Sequence, residues 1–161
     1  MQPILVSACL LGRPVRYDGR AKPLQAPLLA RWQAEGRLIP ICPEVAAGLL
    51  TPRPASEIAP GDDAAAVLDG HGAIRTRDGA DVTAAFVDGA AQTVALARHH
   101  GCRHALLIDG SPSCGSGFVY SGRFDGLRQP GRGVVAEALI RAGVAVFAPA
   151  QIAQLAAALE S

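Results

Sequence analysis

One cysteine lies among small, turn-forming residues in the segment Ser111-Pro112-Ser113-Cys114-Gly115-Ser116-Gly117. This segment follows the apolar run 105–108, which predicts a buried strand that ends close to it. Small neighbours leave backbone N–H groups unobstructed, so a thiolate of Cys114 can be both accessible and hydrogen-bonded. We therefore expect chemistry at this loop.

The same order, an apolar run and then a cysteine, occurs twice earlier in the chain. The run 4–8 leads into Cys9, and the run 38–41 leads into Cys42. Residues just past the carboxyl ends of parallel strands gather at one crevice, whatever their separation in sequence. If the three runs are parallel strands, these two cysteines converge with Cys114. The fourth cysteine, Cys102, precedes the third strand and is expected at the opposite edge of the sheet.

Alternation of strand and helix patterns along the chain predicts the fold class. Helices are expected over 24–35, 81–100, 134–142 and 150–159, a fourth strand over 144–147, small β-hairpins over 67–76 and 118–127, and an irregular functional loop over 46–60. The pattern predicts a three-layer, Rossmann-like α/β fold with a mainly parallel sheet of about four strands and small hairpin insertions.

Length and composition limit the class of protein. The chain has 161 residues, 50% of them hydrophobic, which fits one domain over 1–161 that needs no disulfide or metal to stabilise it. A net charge of +1 and 18% charged residues argue against extended nucleic-acid contact and leave a small molecule or mononucleotide as the partner. The sequence does not specify an oligomeric state.

Two observations concern location. The N-terminus lacks a signal-peptide pattern, and no run approaches the roughly 20 apolar residues that span a bilayer, so we expect a cytoplasmic protein without a membrane partner. Thiols stay reduced in the cytoplasm, where clustered cysteines bind metal or act in catalysis more often than they pair as disulfides.

Three converging thiolates are compatible with an iron-sulfur cluster, zinc, or a nucleophile with resolving partners. Structural zinc usually has four ligands and local Cys-x-x-Cys pairs, and this sequence has no such pair. A cubane cluster takes ligands from distant loops, and three cysteines leave one iron open to substrate. A single cysteine at a strand end is more often a small buried apolar residue, but three at equivalent ends favour a shared role.

Several short motifs then identify a family. They are Ser7-Ala8-Cys9-Leu10-Leu11-Gly12, Val15-Arg16-Tyr17-Asp18-Gly19, Cys42-Pro43-Glu44, Pro52-Arg53-Pro54 and Ser111-Pro112-Ser113-Cys114-Gly115. With these motifs the chain closely resembles the DUF523 family, also known as the thiouracil desulfurases. The likeness extends through 81–83 and 131–134 and covers nearly the whole chain.

The resemblance implies a cofactor and a reaction. It implies an oxygen-sensitive [4Fe-4S] cluster held by Cys9, Cys42 and Cys114, and an enzyme that removes sulfur from 2- or 4-thiouracil and 4-thiouridine monophosphate. Thiocarbonyl sulfur is soft, so an open iron is a suitable Lewis acid for it. Conversion of C=S to C=O with release of sulfide is a hydrolysis that needs no net electrons.

Catalytic candidates follow from position and resemblance. Glu44, two residues after Cys42, is the candidate general base for the attacking water. Ser111 is the candidate that orients the substrate or relays a proton. Asp18 and Asp109 are weaker alternatives for acid or base work.

A nucleotide substrate also needs partners for its phosphate. Arg16 and Arg53 supply positive charge, and the helix start at 131–134 is expected to supply free N–H groups. Ser7 and Ser113 are further candidates for substrate binding.

Two alternatives come from other functional classes. A metal or sulfur carrier ligated by the cysteines would deliver its load without turnover and would not need Glu44. A redox-sensing α/β domain would pair its cysteines as disulfides and hold no iron.

Overall fold

The computed structural model describes residues 1–161 and contains eight strands and six α-helices. The strands are β1 (Ile4–Ser7), β2 (Leu38–Ile41), β3 (Ser56–Ile58), β4 (Ile74–Thr76), β5 (His104–Leu106), β6 (Phe118–Tyr120), β7 (Arg128–Pro130) and β8 (Ala145–Phe147). The α-helices are α1 (Pro27–Ala34), α2 (Pro43–Ala46), α3 (Ala64–Leu68), α4 (Thr83–His100), α5 (Val134–Arg141) and α6 (Ile152–Leu159).

A four-stranded parallel sheet in the order β2-β1-β5-β8 forms the centre of the molecule. Its central strand β1 is buried throughout, because Ile4, Leu5 and Val6 are apolar on both faces of the sheet. The predicted α/β fold class is confirmed. The chain leaves β1 toward β2 on one side and later returns to β5 on the other, so the strand order reverses between β1 and β5.

Helices flank the sheet. The β1-α1-β2 and β5-α5-β8 connections run in opposite directions across it, so right-handed crossovers place α1 and α5 on opposite faces. The longest helix, α4, packs against α2 and α5 and ends at Gly101, which has a left-handed φ of 68°. None of the helices combines the length and the apolar character needed to cross a membrane.

The prediction of a β-hairpin over 67–76 is wrong. Residues Ala64–Leu68 form α3 instead, because Asp63 caps that helix by accepting the Ala66 N–H at 2.7 Å and alanine favours helix. Only β4 is a strand, and it pairs antiparallel with β3, which lies inside the stretch 46–60 that was expected to be irregular. The sequence pattern did not predict this strand because several prolines lie close to it.

The bounds of helix α1 and of the second hairpin also differ from the expected ones. Helix α1 begins at Pro27 rather than at residue 24, since proline is well suited to the first helical position and cannot donate from a helix interior. The hairpin expected over 118–127 is present as β6 and β7 and extends to Pro130.

Candidate functional site

A cavity of about 360 Å³ opens beyond the carboxyl ends of β1, β2 and β5, where the strand order reverses. Cys9, Cys42 and Cys114 all line it. Cys102 precedes β5 and lies outside the cavity lining. The structure therefore brings together the three cysteines that follow strand ends and separates them from the fourth.

Each of the three cysteines lies in a short turn, 3-10 helix or helix cap between a strand and the next element of the chain. Cys9 lies in a 3-10 helix, Ala8–Leu11, that continues from β1. Cys42 is the N-terminal cap residue of α2, and Cys114 lies in the turn segment after β5. All four cysteines are free thiols, and no three His, Cys, Asp or Glu side chains lie close enough to hold a single metal ion between them.

The environment of Cys9 opposes ionisation of its thiol. Burial, and then the neighbouring Cys42, raise the pKa of Cys9 to about 11, while the charge of Arg16 acts against them. Cys42 has this effect because two negative charges close together in one cavity repel each other.

Cys114 is held as a thiol even more strongly. Burial is the main reason that its pKa rises to about 12; a hydrogen bond from Ser7 lowers the pKa, and the charges of Glu44 and Cys9 raise it. Iron binding at these sulfur atoms would displace their protons, because a metal cation favours the thiolate form. The donor set therefore fits a metal cluster.

The raised thiol pKa values predict a loss of stability at alkaline pH in the metal-free protein. Both thiols bind protons more tightly in the folded chain than at the ordinary pKa of 9.0, so this stabilisation is complete below pH 9 and is lost as pH rises through about 11 for Cys9 and about 12 for Cys114. We expect the free energy of unfolding, measured by urea titration, to fall above about pH 9 by up to about 1.4 kcal/mol per pH unit for each thiol. Cys114→Ala should show a smaller fall, and an equal fall would contradict this assignment.

A chain of hydrogen bonds connects the cysteine loop to Glu44. Ser111 Oγ accepts the N–H groups of Ser113 at 3.0 Å and Cys114 at 3.2 Å, so its hydroxyl proton is free for Ser113 Oγ, 2.7 Å away. Ser113 in turn donates to Glu44 Oε2 at 3.0 Å. An ionised carboxylate only accepts hydrogen bonds, so the hydroxyl protons point from Ser111 through Ser113 toward Glu44.

The other oxygen of Glu44 is bound by Arg53. Arg53 Nε donates to Glu44 Oε1 at 3.1 Å, and its remaining nitrogens donate to the backbone oxygens of Val15 and Leu50 and to the Thr51 hydroxyl, at 3.0 to 3.1 Å. Its side chain is only 8% exposed. These contacts make Arg53 a residue that positions Glu44, and its predicted contact with phosphate stays a prediction.

Ser7 and Arg16 also line the cavity. Ser7 is buried, and its Oγ accepts the Ile108 N–H at 3.0 Å, which ties the end of β1 to the chain beyond β5. Arg16 is partly exposed and lies 3.9 Å from Asp18, which itself does not line the cavity. The structure thus places Ser7, Arg16, Glu44, Arg53, Asp109, Ser111 and Ser113 along this one cavity, together with the three cysteines.

The start of α5 does not offer the free N–H groups expected for phosphate. The Gly133 N–H donates to the Gly115 carbonyl at 2.7 Å, the Val134 N–H to Pro112 at 2.9 Å, and the Val135 N–H to Ser113 at 2.9 Å. A side chain at Gly133 would overlap the Ser113 carbonyl. This expectation was wrong because the helix start is used to hold the Cys114 loop in place.

Sequence reasoning missed the outer wall of the cavity. Both tyrosines and two of the four phenylalanines of the chain line it, together with three cationic side chains. They are Tyr17, Phe118, Tyr120, Phe124, Lys22, Arg77 and Arg128. Three arginines lie over rings of this wall: Arg128 at 4.3 Å from the Phe118 centroid, Arg77 at 5.3 Å from the Phe124 centroid, and Arg16 at 6.0 Å from the Tyr17 centroid. The only signal in the sequence was the concentration of aromatic residues at 118–124.

Comparisons with known proteins cover almost the whole chain. Residues 4–151 match the family model described as 2-thiouracil desulfurase. A protein of Bacillus subtilis (strain 168) described as uncharacterized protein YbbK is 40% identical over 146 residues, which is 89% of this chain and 93% of that protein. A solved structure described as the [4Fe-4S]-dependent thiouracil desulfidase TudS is 46% identical, covers 99% of both chains and superimposes with a TM-score of 0.90. On this evidence the chain belongs to the 2-thiouracil desulfurase family.

Proposed function

We propose that this protein is a desulfidase that converts C=S to C=O in thiolated uracil compounds and releases sulfide, without net electron transfer. The observation that carries the proposal is the convergence of Cys9, Cys42, Cys114 and Glu44 on one cavity at the reversal of strand order. The family match and the description of the solved relative as a [4Fe-4S]-dependent thiouracil desulfidase support the same reaction.

In this proposal the three cavity cysteines hold a [4Fe-4S] cluster and leave one iron without a protein ligand. The support is chemical: three cysteine sulfur atoms that follow separate strands line one cavity, and cysteine thiolates from distant loops are the usual ligands of such a cluster. When bound, a cluster with an open iron supplies a Lewis acid that suits a soft thiocarbonyl sulfur.

The protein's own residues supply the proton chemistry. Glu44 accepts a proton from the attacking water, and Arg53 holds the carboxylate in place from the side opposite Ser113. The Ser111 and Ser113 hydroxyls form a path along which a proton moves to or from Glu44. The buried Ser7 hydroxyl accepts the Ile108 N–H and so holds the end of β1 against the chain that leads to the Cys114 loop.

The outer wall of the cavity favours a nucleotide over a free base. Lys22, Arg77 and Arg128 have no acidic partner within salt-bridge distance, and cations of this kind bind a phosphate. Aromatic rings beside them provide stacking surfaces for a pyrimidine. We propose 4-thiouridine monophosphate as the substrate of a cytoplasmic enzyme that forms one domain over 1–161 and binds no extended nucleic acid.

Turnover distinguishes the desulfidase from the alternatives. We expect anaerobically purified protein to bleach the thiocarbonyl absorbance of 4-thiouridine monophosphate over many turnovers with one sulfide released per molecule, and to act on it at least about tenfold more efficiently than on 2-thiouracil, as one charge-assisted phosphate contact implies. A carrier would release no more than one equivalent per chain. A redox sensor would contain no iron and leave the absorbance unchanged.

A further inference from the structure

Phe124 has an unusual backbone conformation for an aromatic residue. It is the one non-glycine residue of the chain with a positive φ, at 55°. A bulky side chain avoids this left-handed region because its Cβ crowds the following carbonyl. The surrounding structure must therefore hold Phe124 in place.

Glu57 provides the restraint. Its Oε1 accepts two backbone N–H groups of the β6–β7 connection, that of Gly122 at 2.8 Å and that of Phe124 at 3.3 Å. The connection also lies directly against β3, since a side chain at Gly122 would overlap the Ile58 carbonyl. The Glu57 carboxylate of β3 thus fixes the β6–β7 connection that carries the Phe124 ring, although the two residues are 67 positions apart in sequence.

The ring is placed at the wall of the catalytic cavity. Phe124 lines the cavity and is only partly buried. The Arg77 guanidinium lies over the ring. Phe118, the other phenylalanine of the wall, is already contacted by Arg128 over its ring and by Tyr120 edge-on, with ring centroids 6.0 Å apart. Of the two phenylalanines of the wall, Phe124 therefore has fewer cationic and aromatic contacts that a ligand would have to displace.

We propose that Phe124 packs against the pyrimidine ring of the substrate, and that Glu57 is the positioning residue that holds Phe124 against the cavity. This inference rests on the proposed function, because it assigns the ring-binding residue of that reaction. A planar, apolar surface backed by a guanidinium binds a pyrimidine whatever its exact substituents. The contact holds the pyrimidine in the same cavity that the three cysteines line.

The test compares variants that separate the ring from the turn. Phe124→Asn removes the ring and keeps a residue that tolerates a left-handed φ, whereas Phe124→Tyr keeps an aromatic ring. Glu57→Ala removes the oxygen that accepts both N–H groups, whereas Glu57→Gln keeps an amide oxygen that is able to accept them. Leu127→Ala is the control, because Leu127 lies in the same connection, is 64% exposed and does not line the cavity.

Three quantities are measured on the anaerobic holoenzyme: KM and kcat for 4-thiouridine monophosphate, and the Kd of uridine 5′-monophosphate by calorimetry. In Phe124→Asn we expect KM and Kd to rise at least about fivefold, as loss of one stacking contact implies, with kcat within about threefold and no fall in Tm. Glu57→Ala should show the same rise. Phe124→Tyr, Glu57→Gln and Leu127→Ala should stay within about twofold of wild type.

The results separate this inference from the proposed function. If wild type turns over substrate and Phe124→Asn keeps the wild-type KM and Kd, the inference is overturned and the function stands. If wild type binds uridine 5′-monophosphate through Phe124 but releases no sulfide, the inference stands and the function fails. A fall in Tm for Phe124→Asn, or a Glu57→Gln variant that behaves like Glu57→Ala, identifies a merely structural role and also overturns the inference.

Discussion

Cys9→Ala, Cys42→Ala and Cys114→Ala, each purified anaerobically, will lose bound iron, acid-labile sulfide and desulfidase activity. Wild type should carry about four irons per chain, the content of one cubane cluster. Each of these cysteines lines the cavity, so removal of any one would leave two protein ligands for the proposed three-cysteine cluster. Iron and sulfide analysis with the thiouridine absorbance assay measures the effect.

Cys102→Ala is the matched control for this series. Cys102 is also buried and its thiol pKa is also raised by burial, but it precedes β5 and lies at the other edge of the sheet. The variant should keep its iron and activity. Loss of iron in Cys102→Ala would point to general destabilisation, and a full complement of iron in any of the other three variants would show that the ligand assignment is wrong.

Glu44→Gln will keep its iron and lose at least about 10²-fold in kcat, the usual contribution of a general base. A glutamine retains an oxygen for the Arg53 contact at 3.1 Å, so the side chain stays in place, but a carboxamide cannot take up a proton from water. Steady-state kinetics with an iron assay on the same preparation separate loss of the base from loss of the cluster.

Asp109→Asn provides the comparison for Glu44→Gln. Asp109 also lines the cavity, and its side chain makes one hydrogen bond, in which Oδ1 accepts the Gly117 N–H at 3.4 Å. The same change from carboxylate to amide at Asp109 should therefore leave most of the activity. If Glu44→Gln keeps near wild-type turnover and Asp109→Asn is inactive, Asp109 rather than Glu44 is the general base. Full function in both variants would favour the carrier, which needs no base.

The sequence by itself determined the set of cysteines and the sheet that gathers them. Apolar runs before Cys9, Cys42 and Cys114 are local patterns, and parallel strands bring their carboxyl ends to one edge regardless of the loops between them. The same reasoning placed Cys102 at the opposite edge. Local signals failed at 67–76, where a capped, alanine-rich turn favoured helix over the expected hairpin.

Only the tertiary structure decided how the other groups are used. The Ser113 hydroxyl reaches Glu44 across 69 residues, Glu57 restrains Phe124 across 67, and the start of α5 holds the Cys114 loop rather than a phosphate. A hydrogen bond depends on distances of a few tenths of an ångström and on the direction of the donor. Strand and helix periodicity specify which elements meet, whereas loop conformation and packing determine which side chains touch.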